Sequence, residues 1–265
     1  MPRRRKAGPC DQALRQLGDT RARPSIRWVA ALTGVAEPRV RDALAGVEQH
    51  LERLADIRAR HEEGGREFYA QIRAPFELYA LVRLLRPKFV VETGVSSGVS
   101  SAHFLLALRD NRHGHLHSID LPTRQKAADL AATESPVSLP PGRETGWAVP
   151  TALRKRWDLH LGPSQDLLPE VARSARPIGL FLHDSLHTPE HLTFELETVR
   201  PFLVPGSVVL ADNTNWTGTA FDEFAASLGV PVLRRGRSSL VGLRVPTAKG
   251  LASARGRTPR SRTKR

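Results

Sequence analysis

Apolar residues follow two periodicities along this chain, and the switch between them outlines its architecture. Over residues 11–85 the spacing is helical: Val40, Leu44, Val47, Leu51 and Leu54 recur at intervals of four, three, four and three, which lines one face of a helix over Pro38–Leu54. Ser25–Leu32 has the same spacing. Ala74–Arg86 predicts a further helix with Pro75 in its first turn, and Pro87 blocks its continuation. From there the pattern changes to short strand-like segments: Phe89–Val91, a continuous apolar run suited to a strand buried on both faces, then His115–Ile119, Trp157–Leu161, Ile178–Leu182 and Ser207–Ala211. Helical stretches separate them, among them Lys126–Ala132, Asp166–Ala172, a helix from Pro189 to about Leu203 capped by Thr188, and Phe221–Leu228. Val230–Leu233 and Ser239–Val245 then close the chain as two strands in succession. Alternating strands and helices, ended by two consecutive strands, predict an α/β fold with a mostly parallel sheet, one antiparallel member and helices on both faces.

One connection carries distinctive chemistry. After the first strand the chain reads Glu92-Thr93-Gly94-Val95-Ser96-Ser97-Gly98, then opens a helix, and the second strand ends in Asp120. Two glycines allow close backbone approach, and a helix start offers free N–H groups to an anion. The spacing GxxxG differs from the GxGxxG of pyrophosphate-binding turns. A glutamate at the strand end can accept from an ammonium group while the helix N-terminus takes a carboxylate, so an amino-acid-bearing nucleotide fits better than a dinucleotide. Asp120 is placed to accept both hydroxyls of a ribose.

The later strand ends add a second set. Asp184 follows the fourth strand, and Asp212 and Asn213 follow the fifth. Two carboxylates and an amide oxygen at neighbouring strand ends form a hard oxygen set suited to Mg²⁺ or a similar divalent ion. His187 stands close by as a candidate general base. His183 and His191 share its spacing of four. A helical zinc site is disfavoured there, because His183 lies at a strand end and Pro189 interrupts the run, and His183 reads as structural.

These stretches resemble a known family. The glycine turn and Asp120 are similar to motif I and the following acidic residue of class I S-adenosylmethionine-dependent methyltransferases. LGPSQDLLPEV, LFLHDSLH and LVPGSVVLADN resemble, in order and spacing, the metal-dependent catechol O-methyltransferase type. HDSLH, ELETVRPFLVPG and ELYALVRLLRP are also similar to a broader bacterial methyltransferase family of unassigned substrate. The resemblance runs from about Pro87 to Val245 and implies a Rossmann-like seven-stranded sheet. It implies that Glu92, Gly94, Ser96, Gly98 and Ser100 hold the methionine part of S-adenosylmethionine, that Asp120 holds the ribose, and that Ser164 and Gln165 border the adenine. Asp184 is counted with the cofactor and catalytic residues, and with Asp212 and Asn213 as a ligand of a divalent metal, Mg²⁺ by its oxygen donors. His187 falls where the catechol enzymes carry a basic lysine. The N-terminal helices and the proline- and glycine-broken stretch Ser135–Gly146 do not match, so no catechol substrate is implied; that stretch reads as a lid or substrate loop, with Trp147 as an apolar contact.

Charge sharpens the domain organisation. Of the net +13, the first ten residues carry four and Thr247–Arg265 seven, leaving +2 for the body. Residues 1–10 and 247–265 therefore read as basic, disordered tails, 11–73 as an N-terminal helical cap and 74–246 as the methyltransferase domain. Cys10, the single cysteine, falls in the first tail and excludes an internal disulfide. With no long apolar run and no secretory leader, the expected setting is cytoplasmic, without a membrane. The expected reaction is O-methylation of a small-molecule acceptor, with a glycoside or natural-product intermediate as the alternative. A different class stays open: WVAALTGVAEPRVRDAL has the outline of a helix-turn-helix, and with the tails could contact nucleic acid or other polyanions weakly. Glu37, Asp42 and Glu48 beside Arg39 and Arg41 favour the cap. Nothing in the sequence excludes a homo-oligomer.

Overall fold

The computed structural model describes residues 8, 10–16, 23–65, 74–122 and 139–246. The expected helix at Lys126–Ala132, residues 135–138 of the loop and nearly all of both tails lie outside them.

The strands are β1 (Phe89–Thr93), β2 (His115–Asp120), β3 (Trp157–Leu161), β4 (Ile178–His183), β5 (Leu203–Ala211), β6 (Leu233–Arg234) and β7 (Val241–Arg244). They form one seven-stranded sheet in the order β3-β2-β1-β4-β5-β7-β6. All pairings are parallel except those made by β7, which runs antiparallel to both β5 and β6. This is the expected Rossmann-like sheet. The order reverses between β1 and β4, so the carboxyl ends of these two strands flank the crevice where open α/β sheets take ligands.

Alternation along the strands builds a core on each face. Val90, Leu116, Leu180, Leu182, Val208 and Leu210 pack beneath α5 (Pro75–Leu85) and α6 (Val99–Asn111). Val91, Ile119, Phe181, Val209 and Ala211 pack beneath α7 (Ser164–Ser174), α8 (Pro189–Val199) and α9 (Ala220–Ser227).

The N-terminal helices share the first of these cores. α2 (Ile26–Thr33) and α3 (Glu37–Ala45) bury Trp28, Val29, Leu32, Val40 and Leu44 with residues of α5 and α6. The Trp28 indole donates to the Leu233 carbonyl at 2.8 Å. The hydrophobic faces that a helix-turn-helix would use to hold its own fold are spent here on the sheet and its α5 layer. The stripe expected as one helix over Pro38–Leu54 is broken: a 3-10 turn at Gly46–His50 joins α3 to α4 (Leu51–Glu62). Gly46 lies close against α5 there: a β-carbon would stand 3.0 Å from the Tyr79 hydroxyl.

Three details differ from the sequence expectation. Cys10 is fully buried and donates its thiol to the Leu44 carbonyl at 3.0 Å; with Ala13 and Leu14 it joins α1 (Asp11–Gln16) to the core. The helix after Thr188 stops at Val199, and β5 starts at Leu203 instead of Ser207. There Ser207 donates its hydroxyl to the Ile178 carbonyl and accepts from the Val204 N–H, which ties the irregular Pro205-Gly206 segment to β4. Among the described residues, no helix is long and apolar enough to cross a membrane.

Candidate active site

The β1–α6 turn is built around two acids, one fully buried and one half-buried. Glu92 lies inside β1 and is fully buried. Its Oε1 accepts from Ser100, and its Oε2 accepts from Ser101 at 2.6 Å and Ser118 at 2.8 Å. Burial pushes its pKa up to about 7; the three serine hydroxyls pull the other way, and Asp184 adds to the rise. The sequence put Glu92 at an ammonium group. In the structure both oxygens are taken by serines of α6 and β2, so it holds the turn to the helix and the next strand.

Asp120 does the equivalent from the end of β2. Its Oδ1 accepts from Val95 N at 2.9 Å and Ser96 N at 3.4 Å, and its Oδ2 accepts from the Thr145 hydroxyl at 2.7 Å. Thr145 belongs to the connection after β2, which folds back over the turn: Gly146 N donates to the Ser96 carbonyl at 2.8 Å and Ala148 N to that of Ser97 at 2.9 Å. Gly94 and Gly98 both have positive φ, and their close approach is to the chain itself. A β-carbon on Gly94 would lie 1.9 Å from the Asp184 carbonyl oxygen, and one on Gly98 would lie 2.7 Å from Val149. Trp147 is buried and donates its indole N–H to the Arg60 carbonyl at 2.9 Å; it anchors this segment to α4 and is no free apolar contact. His61 of α4 reaches the same turn, 2.9 Å from the Ser97 hydroxyl.

Two features leave this turn open to a ligand. α6 has no side-chain cap, so its first N–H groups lack a capping acceptor and suit an anion. The Ser96 hydroxyl is buried with no hydrogen-bond partner among the described residues, a cost that a bound polar group relieves.

The β4 and β5 ends meet beside it. His183 pairs with Thr93 on one side and Ala211 on the other, so Asp184 and Asp212 are the next residues on adjacent strands. Asp212 N donates to the His183 carbonyl at 3.0 Å. The Asp212 side chain accepts from Asn213 N at 2.8 Å and Ser239 Oγ at 2.9 Å, both on Oδ1. Asn213 has φ 49°, a left-handed turn that Asn tolerates. His187 Nε2 is 3.4 Å from Asp184 Oδ1, and its ring stands edge-on to His183 at 5.4 Å.

Behind these groups lies a network that the sequence left largely unread. Glu195 of α8 is fully buried and accepts from Thr93 at 2.6 Å and Ser185 at 2.9 Å; it also pairs with His183 Nδ1 at 2.7 Å and His191 Nε2 at 2.9 Å. Burial works against its charge, but His183 and His191 outweigh burial and hold its pKa well below the usual carboxylate range. Ser164 and Gln165, expected beside an adenine, each make a 3.0 Å bond to a nitrogen of His191. Exposed apolar side chains were also missed: Leu121 follows β2, Leu161 ends β3, and Leu186 and Trp216 lie in the connections after β4 and β5. The signal was present, since each is a large apolar residue at a position where turns are usually polar.

Residues 91–214 match a family model described as a methyltransferase domain. The match runs from within β1 to just beyond β5. Among solved structures the chain is similar to a putative O-methyltransferase from Klebsiella pneumoniae, at 17% identity and TM-score 0.50, over 76% of this chain and 97% of that one. It is likewise similar to a putative caffeoyl-CoA O-methyltransferase from Staphylococcus aureus, at 12% identity and TM-score 0.51, over 78% and 99%. At such identities the likeness concerns the fold. No curated protein matches the sequence.

Proposed function

We propose that this methyltransferase transfers the methyl group of S-adenosylmethionine to a hydroxyl oxygen of a small-molecule acceptor, assisted by a divalent cation. The observation that carries the reading is the meeting of Asp184, His187 and Asp212 at adjacent strand ends, against the Gly94 turn. When bound, the cofactor supplies an electrophilic methyl on a sulfonium, and the cation supplies positive charge that favours ionisation of the acceptor hydroxyl.

The chain's own residues supply position and proton transfer. The open start of α6 and the Ser96 hydroxyl take the carboxylate and amine end of the cofactor, and Asp120 takes the ribose hydroxyls in exchange for its bond to Thr145. Glu92 positions Ser100 and the turn. Ser164 and Gln165 act by orienting His191 at the adenine side. Asp184, Asp212 and Asn213 offer carboxylate and amide oxygens, a donor chemistry that fits Mg²⁺. His187 accepts the hydroxyl proton, and Asp184 stabilises the imidazolium that results. Holding the acceptor oxygen in line with the methyl supplies much of the rate. The exposed Leu186 and Trp216 favour an acceptor with an apolar or aromatic body over a glycoside.

The test is formation of S-adenosylhomocysteine against a panel of phenols, aliphatic alcohols and glycosides. His187→Ala is expected to lower kcat by about 100-fold or more while leaving cofactor affinity within about twofold, because the ring is directed at Asp184 and His183. Chelation is expected to suppress turnover, with recovery on adding Mg²⁺. Full activity of His187→Ala removes the base, and turnover unaffected by chelator removes the cation.

A further inference from the structure

The outer strands carry a second cluster of ligating groups, remote from the β4 and β5 ends. His115 and His117 alternate along β2, and Asp158 and His160 alternate along β3. His117 and Asp158 are partners in the parallel ladder. All four side chains therefore leave the same face of the sheet, the one that also carries Ile119 and α7. His115 Nε2 lies 3.1 Å from Asp158 Oδ2, His117 Nδ1 lies 3.6 Å from the same oxygen, and His117 Nδ1 lies 3.4 Å from His160 Nε2. The ligand atoms of His115, His117 and Asp158 are all within 4.8 Å of one another.

Those distances have a specific meaning. A tetrahedron with metal–nitrogen and metal–oxygen bonds of about 2.0–2.1 Å has edges of about 3.3–3.4 Å. The separations of 3.1 and 3.6 Å scatter around that edge, so His115, His117 and Asp158 fit three corners around one small cation. The His115 and His117 ring centroids are 5.2 Å apart, so two imidazoles converge on a single carboxylate; His160 Nε2 stands 3.4 Å from His117 Nδ1 at the margin of the cluster. The site is also accessible: the His115 and Asp158 side chains are 30% and 55% exposed. Imidazole-rich donors with one carboxylate suit Zn²⁺ and similar borderline ions, whereas the all-oxygen set at Asp184 and Asp212 suits Mg²⁺.

We propose that His115, His117 and Asp158 form a site for Zn²⁺ or a related transition-metal ion, with water completing a tetrahedron. The site cross-links β2 to the edge strand β3. Its function is structural: His117 stands three residues before Asp120 on β2, roughly 10 Å along the strand, so the clamp steadies the strand that presents Asp120.

The test uses untagged, metal-stripped full-length protein titrated with Co²⁺, since four-coordinate Co²⁺ absorbs visible light far more strongly than six-coordinate Co²⁺. One equivalent of the intense tetrahedral spectrum is expected, bleached by Zn²⁺. Zn²⁺ at about 100 times its Kd is expected to raise the thermal midpoint by about 5 °C or more. His117→Ala should weaken binding by about tenfold or more and abolish the Zn²⁺-dependent rise. Asp184→Asn should leave the tetrahedral spectrum intact, which separates the two sites. Should His117→Ala fail to fold, the exposed Asp158→Asn reads the same loss. Absence of the tetrahedral spectrum overturns the proposal, as does its persistence in a folded His117→Ala or Asp158→Asn.

Discussion

Glu195→Ala is expected to cost about 3–5 kcal/mol of folding stability, the range for removing one partner of a buried charged pair. For a domain of this size that corresponds to a fall in thermal midpoint on the order of 10 °C. The size of the effect follows from what the carboxylate connects. Thr93 at the end of β1, His183 at the end of β4, Ser185 beyond it and His191 on α8 all converge on its two oxygens. Without it, two buried imidazoles and a buried hydroxyl lose their shared partner at the junction of the two central strands. The pH dependence follows with a definite sign. The folded-state pKa of Glu195 is depressed, so its contribution is complete above the unfolded value of about 4.3 and is lost as pH falls below it. Urea unfolding at pH 7 and near pH 3.5 should show the wild-type protein losing stability across that interval, and Glu195→Gln losing less. An unchanged midpoint in Glu195→Ala at neutral pH would show that the network is not a structural hub.

Asp120→Ala should weaken S-adenosylmethionine binding by about 100-fold or more, the scale of losing two hydrogen bonds to a charged acceptor. The same carboxylate holds the Val95 and Ser96 amides and the Thr145 hydroxyl, so part of the loss would come from a loosened turn. Asp120→Asn separates the contributions: its amide oxygen can still accept from the turn, but it offers the ribose only one acceptor. Calorimetric titration with the cofactor, beside circular dichroism of the free variants, distinguishes them. Asn intermediate between Ala and wild type supports a ribose contact. Wild-type affinity in a folded Asp120→Ala would remove Asp120 from the cofactor site.

The sequence by itself determined the sheet. Strand runs such as Trp157–Leu161 were readable to the residue because a short alternating segment halted by Gly162-Pro163 has few other uses in an α/β chain. The two closing strands announced the antiparallel β7. The acids at strand ends were legible for a related reason: Asp120, Asp184 and Asp212 interrupt apolar runs at the edge where an open sheet presents its site. What Glu92 does there was not legible, since the three serines that surround it come from α6 and β2. Only three-dimensional packing brings them to both of its oxygens.

Long-range partners decided the rest. Glu195 looks like a polar residue on an amphipathic helix, and its role depends on residues as distant as Thr93. Trp147 reads as an apolar loop residue until Arg60 of α4 offers its carbonyl. Cys10 reads as part of a basic tail until Leu44 covers it. His115, His117, Asp158 and His160 occupy ordinary alternating positions in two strands separated by a long connection, and the parallel register of β2 and β3 alone makes them neighbours. Hydrophobic periodicity records which face of an element is buried, and that is local information. Which polar groups share a site depends on register and on packing between elements, and these are settled only when the whole sheet has formed.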